Sequence, residues 1–148
     1  MPAVSHALLG LALFGPFFLS GRVQAEVPLS IAVFTTTEFQ VSSNSDLQGA
    51  RVTVYFVDGL ERFETALSQD LPIQAEAAKA EAFRRIDGLN EAGIGPPKNA
   101  VMGLAKAVQY GVDRYPAIVL NERALVYGVT DLVEALNRYE AWYREHAQ

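Results

Sequence analysis

The chain has no cysteine among its 148 residues. That absence excludes a disulfide framework, a redox CxxC pair, a thiolate metal site and a cysteine nucleophile. Stability must therefore come from packing. Histidine is nearly as scarce: His6 stands near the start and His146 two residues from the end. A His-based triad or a multi-His zinc site has almost no material. Basic clusters are missing as well, with Arg84-Arg85 the only adjacent pair in a chain of formal charge -5. Phosphate backbones attract clustered Lys and Arg, so no direct nucleic-acid contact is expected. Nucleotide-binding loops are absent too. Gly93-x-Gly95 lacks the third glycine of a dinucleotide fingerprint, and Pro96-Pro97 removes two N–H donors.

What the chain does have begins with a leader. Ala7 to Leu19 is an uncharged apolar run of thirteen residues, followed by Arg22 and then Val23-Gln24-Ala25 before Glu26. The run is shorter than the ~20 residues that cross a bilayer as a helix, and Pro16 interrupts it. With small residues ahead of Glu26, this pattern predicts a signal peptide over residues 1–25, cleaved after Ala25. The stretch Met1–His6 carries no Lys or Arg, so retention as an anchor is the alternative. No later segment is long and apolar enough to span. The mature part, 26–148, would hold 11 basic and 17 acidic side chains and form one domain in the periplasm of a Gram-negative cell.

Within that domain, Ser30–Thr37 and Arg51–Val57 are β-branched and aromatic runs that predict strands. The polar stretch Glu38–Ala50 between them predicts a loop. After Asp58-Gly59 the spacing becomes helical: Leu60, Phe63 and Leu67 share one face up to Asp70-Leu71-Pro72. An Ala-rich segment from Ile73 to about Leu89 predicts a longer helix, ended by Gly93–Pro97. Asn99 is expected to cap a third helix whose apolar face is Val101, Leu104, Ala105 and Val108, with Gly111 closing it. Pro116–Leu120 and Ala124–Tyr127 flank the three-residue turn Asn121-Glu122-Arg123 as a hairpin. Thr130 is expected to cap the last helix, with Leu132, Leu136, Tyr139 and Tyr143 in one stripe beside Trp142. Aromatics at that spacing read as core.

Strand, loop, strand, three helices, strand, strand, helix is an α/β order. Gly111-Val-Asp-Arg-Tyr-Pro116-Ala-Ile-Val-Leu-Asn121, with Val126-Tyr-Gly128 and Asp131, resembles the end of a thioredoxin-like domain. The resemblance implies a four-stranded mixed sheet with packed helices, and a cis bond before Pro116 facing the loop after the first strand. More narrowly, Ile31-Ala-Val-Phe-Thr-Thr36, Val54-Tyr-Phe-Val-Asp58 and the Tyr115-Pro116 hairpin resemble a family of exported proteins of integrating conjugative elements. That family is similar to the thioredoxin-like pilus-assembly proteins of F-type conjugation systems.

Where a redox thioredoxin carries CxxC, this chain has Thr35-Thr36-Thr37-Glu38. A threonine hydroxyl does not exchange disulfides near neutral pH. The resemblance implies a non-redox accessory protein with no catalytic residue, cofactor or metal. It would act by contact with protein components of the transfer apparatus, in type IV secretion or pilus assembly. Its contact surface would be Thr36, Thr37, Glu38, Tyr115 and Pro116. An envelope peptide-binding module of chaperone type is the alternative. A secreted hydrolase is the weaker one, because no convergent hydroxyl or carboxylate set is present: Glu61, Arg62 and Glu64 lie on the solvated face of their helix.

Overall fold

A computed structural model describes residues 28–42, 47 and 49–146. The expected signal peptide and its cleavage site lie outside these residues. Two β-rich runs form β1 (Ser30–Thr35) and β2 (Arg51–Phe56), paired in parallel with Ser30 opposite Arg51 and Thr35 opposite Phe56. The hairpin is β3 (Ala117–Leu120) and β4 (Ala124–Tyr127). β3 runs antiparallel to β1, giving the order β2-β1-β3-β4. The helices are α1 (Gly59–Ser68), α2 (Ala75–Asp87), α3 (Glu91–Tyr110) and α4 (Leu132–His146). This is an α/β, thioredoxin-like mixed sheet lacking the CxxC motif, and the Tyr115–Pro116 bond is cis.

Alternation along the central strands divides the core between two faces. Ile31, Val33, Ile118 and Leu120 point toward Leu132 and Ala135 of α4. Phe34, Ala117 and Val119 point the other way, joining Tyr55 and Ala107 of α3. Every residue of β3 is buried. Burial of apolar surface on both faces stabilises the sheet at about 25 cal/mol per Å².

Four features depart from the sequence expectations, each for a steric or local reason or, for the last, because of helix length. First, Pro96 and Pro97 do not end a helix: they sit within α3, which Asn90 caps by accepting the Gly93 N–H at 3.0 Å. The prolines leave only the carbonyls of Ala92 and Gly93 without an i+4 donor. Gly95, ahead of Pro96, has no Cβ for the proline ring to meet.

Second, the buried face of α3 is Pro97, Ala100, Gly103 and Ala107, while Val101, Leu104, Ala105 and Val108 face outward. Size decides this. A Cβ on Gly103 would lie 2.6 Å from Tyr55 Cβ, so only the small-residue face fits against β2. At α1 the approach is equally close, with a Cβ on Gly59 falling 2.9 Å from the Pro96 carbonyl oxygen.

Third, Asp131 rather than Thr130 caps α4, its Oδ1 accepting the Val133 and Glu134 N–H groups at 2.8 and 3.0 Å. Thr130 instead accepts the Ser42 N–H through its carbonyl, and Ser42 accepts Leu132 N–H, tying the β1–β2 connection to the start of α4. Fourth, beyond Tyr139 the helix outruns the sheet. Fifteen residues of helix are about 22 Å long, against about 13 Å for a four-residue strand. Trp142 and Tyr143 are consequently exposed, not core.

Candidate functional site

β1 ends on Thr35, fully buried, whose hydroxyl lies 3.3 Å from the Thr36 carbonyl oxygen. The next residues turn tightly, with the Phe39 N–H donating to the Thr36 carbonyl at 3.2 Å. A carboxylate from the next strand end holds this turn. Asp58 Oδ2 accepts both the Thr37 hydroxyl at 2.6 Å and the Thr37 N–H at 3.1 Å. Asp58 stands at the head of α1 yet makes no side-chain cap there, so its carboxylate serves the threonine loop instead.

Partial burial of the Asp58 carboxyl works against its charge. The Thr37 hydroxyl, the Thr37 amide, its own amide and the Arg62 guanidinium together outweigh burial, and its pKa lies below the ordinary aspartate value. Asp58 is therefore ionised at neutral pH and is no proton donor there. Its other oxygen, Oδ1, and the Thr36 hydroxyl are buried without a protein partner.

Thr36, Thr37 and Glu38 line an open pocket of about 540 Å³ with Asp58, Glu61, Arg62, Thr65, Ala66 and Gln69. Tyr115 and Pro116 lie at the same end of the sheet. Continuing the β1–β3 register by two residues sets Thr35 opposite Pro116 and Thr36 opposite Tyr115. They do not line the pocket, however. Pro116 is buried, its carbonyl accepting the Gly128 N–H at 3.0 Å, and Tyr115 is half-buried against the Phe34 side of the core. The structure thus brings the five expected residues to one end of the sheet, with three of them around a shared cavity.

Two residues that organise this end were read differently in the sequence. Asp58 reads as half of a turn pair, and only its contact with a residue 21 positions earlier reveals its role. Asn99 reads as a helix cap, but sits inside α3. Its amide donates to the Val54 carbonyl and accepts the Phe56 N–H, both at 2.9 Å. Those are outward groups of edge strand β2, so Asn99 occupies the place of a neighbouring strand at the end that carries Asp58.

A second open surface lies along the other face of β2. No helix forms between β1 and β2 among the described residues, and Phe39, Val41, Val52, Val54 and Phe56 line a groove of about 500 Å³. Phe39, Val52 and Phe56 are exposed there. Among the described residues no group of three His, Asp or Glu side chains is arranged to hold a metal, and no helix is long and apolar enough to cross a membrane.

No curated protein and no solved structure matches the chain. A family model does match, over residues 29–145, from the residue before β1 to the last turn of α4. By that match, which covers the whole sheet and its helices, the chain belongs to the family described as "Protein of unknown function (DUF1525)".

Proposed function

We propose that this is an exported, non-redox, thioredoxin-like accessory protein that acts by protein contact in conjugative transfer. The observation that carries the contact reading is the threonine loop. At the position of a redox pair stands a hydroxyl-bearing turn, fixed by Asp58 and set across from the cis Tyr115–Pro116 bond. A loop held in one conformation loses little freedom when a partner binds, and so favours recognition. The resemblance to exported proteins of integrating conjugative elements supplies the link to conjugation, and the leader supplies the periplasm.

The experiment is transfer frequency of a marked element from donors carrying an in-frame deletion of the gene, complemented with full-length or leaderless forms. A drop of several decades, restored only by the exported form, is the expected result. Wild-type transfer by the deletion strain refutes the conjugative role.

The groove beside β2 favours a second reading, a peptide-binding module of the envelope. Its exposed Phe39, Val52 and Phe56 offer apolar surface next to a strand edge. That reading expects binding of unrelated apolar peptides, lost on Phe56→Asp, with no change in transfer frequency.

A further inference from the structure

The opposite end of the sheet carries a different site. The β3–β4 turn is built on Asn121 and Glu122, both in the left-handed region at φ 50° and 56°, and the Arg123 N–H donates to the Leu120 carbonyl at 3.1 Å. Asparagine tolerates that backbone; glutamate adopts it only when its surroundings require it. Asn121 is anchored to the start of β1, donating its N–H to the Ser30 carbonyl at 2.8 Å and accepting the Ser30 N–H on Oδ1 at 3.0 Å. Glu122 accepts the Tyr110 hydroxyl at 3.1 Å. The turn therefore fixes Glu122 and the backbone that carries Arg123, at a conformational cost that glycine would avoid.

Two hollows meet there. One, about 150 Å³, is lined by Arg51, Lys106, Tyr110 and Glu122 among others. The larger, about 660 Å³, shares Ser30, Arg51 and Glu122 with it and continues over Asn121, Arg123, Tyr139 and Tyr143. Three cations thus line the cleft that these adjoining hollows make around the end of the sheet, Lys106 on the α3 side, Arg123 on the α4 side and Arg51 shared by both. Glu122 is the single acid, and Tyr110, which also lies beside Lys106 Nζ, holds it. Arg51 and Arg123 form no ion pair among the described residues. In a chain of formal charge -5 this is a local reversal of sign.

We infer that this cleft, with the Tyr139 and Tyr143 rings at its end, is a docking site for an acidic segment of a partner protein. The cations are spread along the cleft on three different elements, which matches successive carboxylates of an extended chain better than one compact anion. The tyrosine rings add apolar contact at low conformational cost. Charge complementarity of this kind speeds association and selects the partner, and it weakens with salt. The site lies at the opposite end of β1 from the threonine loop, so its test is independent of the conjugative reading.

The test uses the mature chain and eight-residue peptides carrying zero, three or six glutamates on a Ser–Tyr–Gly background. Trp142 is the single tryptophan and its ring centroid lies 6.5 Å from that of Tyr139, so its fluorescence reports occupancy of the cleft. Affinity is expected to rise with glutamate number, to fall as salt is raised from 50 to 300 mM, and to drop at least tenfold in the doubly reversed Arg51→Glu, Arg123→Glu protein. Both side chains are exposed, and circular dichroism checks that the variant is folded. Equal binding of all three peptides, or undiminished binding by the folded double variant, overturns the proposal. Displacement by inorganic phosphate at the affinity of the best peptide also overturns it, in favour of a small-anion site. Self-association of the peptide-free protein that the double variant abolishes overturns it in favour of a second copy.

Discussion

Replacing Asn99 by alanine tests the internal logic of the fold at its most specific contact. The Asn99 amide makes two hydrogen bonds to the outward edge of β2, to the Val54 carbonyl and the Phe56 N–H, each at 2.9 Å. A net value of about 0.5–1.5 kcal/mol per bond gives about 1–3 kcal/mol for the pair. Two effects reduce it. Alanine is the better helix former by about 0.5 kcal/mol at this interior position, and the freed groups lie at a partly open edge where water replaces the amide. The expected loss is about 1–2 kcal/mol, or about 3–10 °C in Tm for a domain of this size. Asn99→Asp keeps an acceptor for the Phe56 N–H but turns a second oxygen toward the Val54 carbonyl, so it should cost at least as much as alanine. Thermal and urea unfolding measure the stability change, and hydrogen exchange at the Phe56 amide reports the contact itself. Asn137→Ala, on the exposed face of α4, is the control for helix propensity. An Asn99→Ala protein as stable as that control, with Phe56 exchange unchanged, would refute the edge-bridging role.

Two further outcomes follow from geometry at the same end of the molecule. Gly103→Val should destabilise by about 1–3 kcal/mol or more, because a Cβ there lies 2.6 Å from Tyr55 Cβ, an atom that cannot move without its strand; equal stability in urea would show that α3 does not approach β2 so closely. Asp58 titrates below the ordinary aspartate value when folded, so the stabilisation it brings is complete above that ordinary value and is lost as pH falls from it through the lower folded value. Thr37→Val removes its hydroxyl donor, and an NMR titration should then place the Asp58 midpoint at higher pH than in the unaltered protein; an unchanged midpoint would sink that assignment.

The strands were legible because β-branched runs bounded by turn residues have few other uses, and their order agrees with the resemblance to thioredoxin-like domains. The left-handed Gly111 after α3 is legible for the same local reason, and its φ is 67°. What local pattern misjudged was packing distance. Val101, Leu104 and Val108 satisfy the period of an amphipathic helix, yet the gap to Tyr55 admits only Ala100, Gly103 and Ala107. Periodicity marks which residues share a face; the spacing between layers chooses the face. Trp142 and Tyr143 continue the apolar spacing of α4, but spacing along a helix does not state how far the sheet beneath it reaches. At the candidate site, the place of Thr36, Thr37 and Glu38 after the first strand is legible in the sequence, and they line one pocket. Asp58 and Asn99 were missed because their partners lie 21 and more than 40 residues away.

The charges at the two ends of β1 bear on how the molecule would engage more than one partner. Around the threonine loop the pocket holds Glu38, Asp58 and Glu61 against Arg62. Around the hairpin turn the cleft holds Arg51, Lys106 and Arg123 against Glu122. An acidic segment would be drawn to the second end and repelled from the first, so each end would exclude the other's ligand as well as attract its own. Because β1 runs between them through the buried core, two such partners would sit at opposite ends of the sheet without either entering the other's site. Substitutions at the two ends should then be additive: Arg51→Glu, Arg123→Glu weakens binding of an acidic peptide and leaves the Asp58 titration unmoved, while Thr37→Val shifts that titration and leaves the peptide affinity as it was. Coupling between the two would mean that one end senses the other through β1, and independence of partners would have to be abandoned.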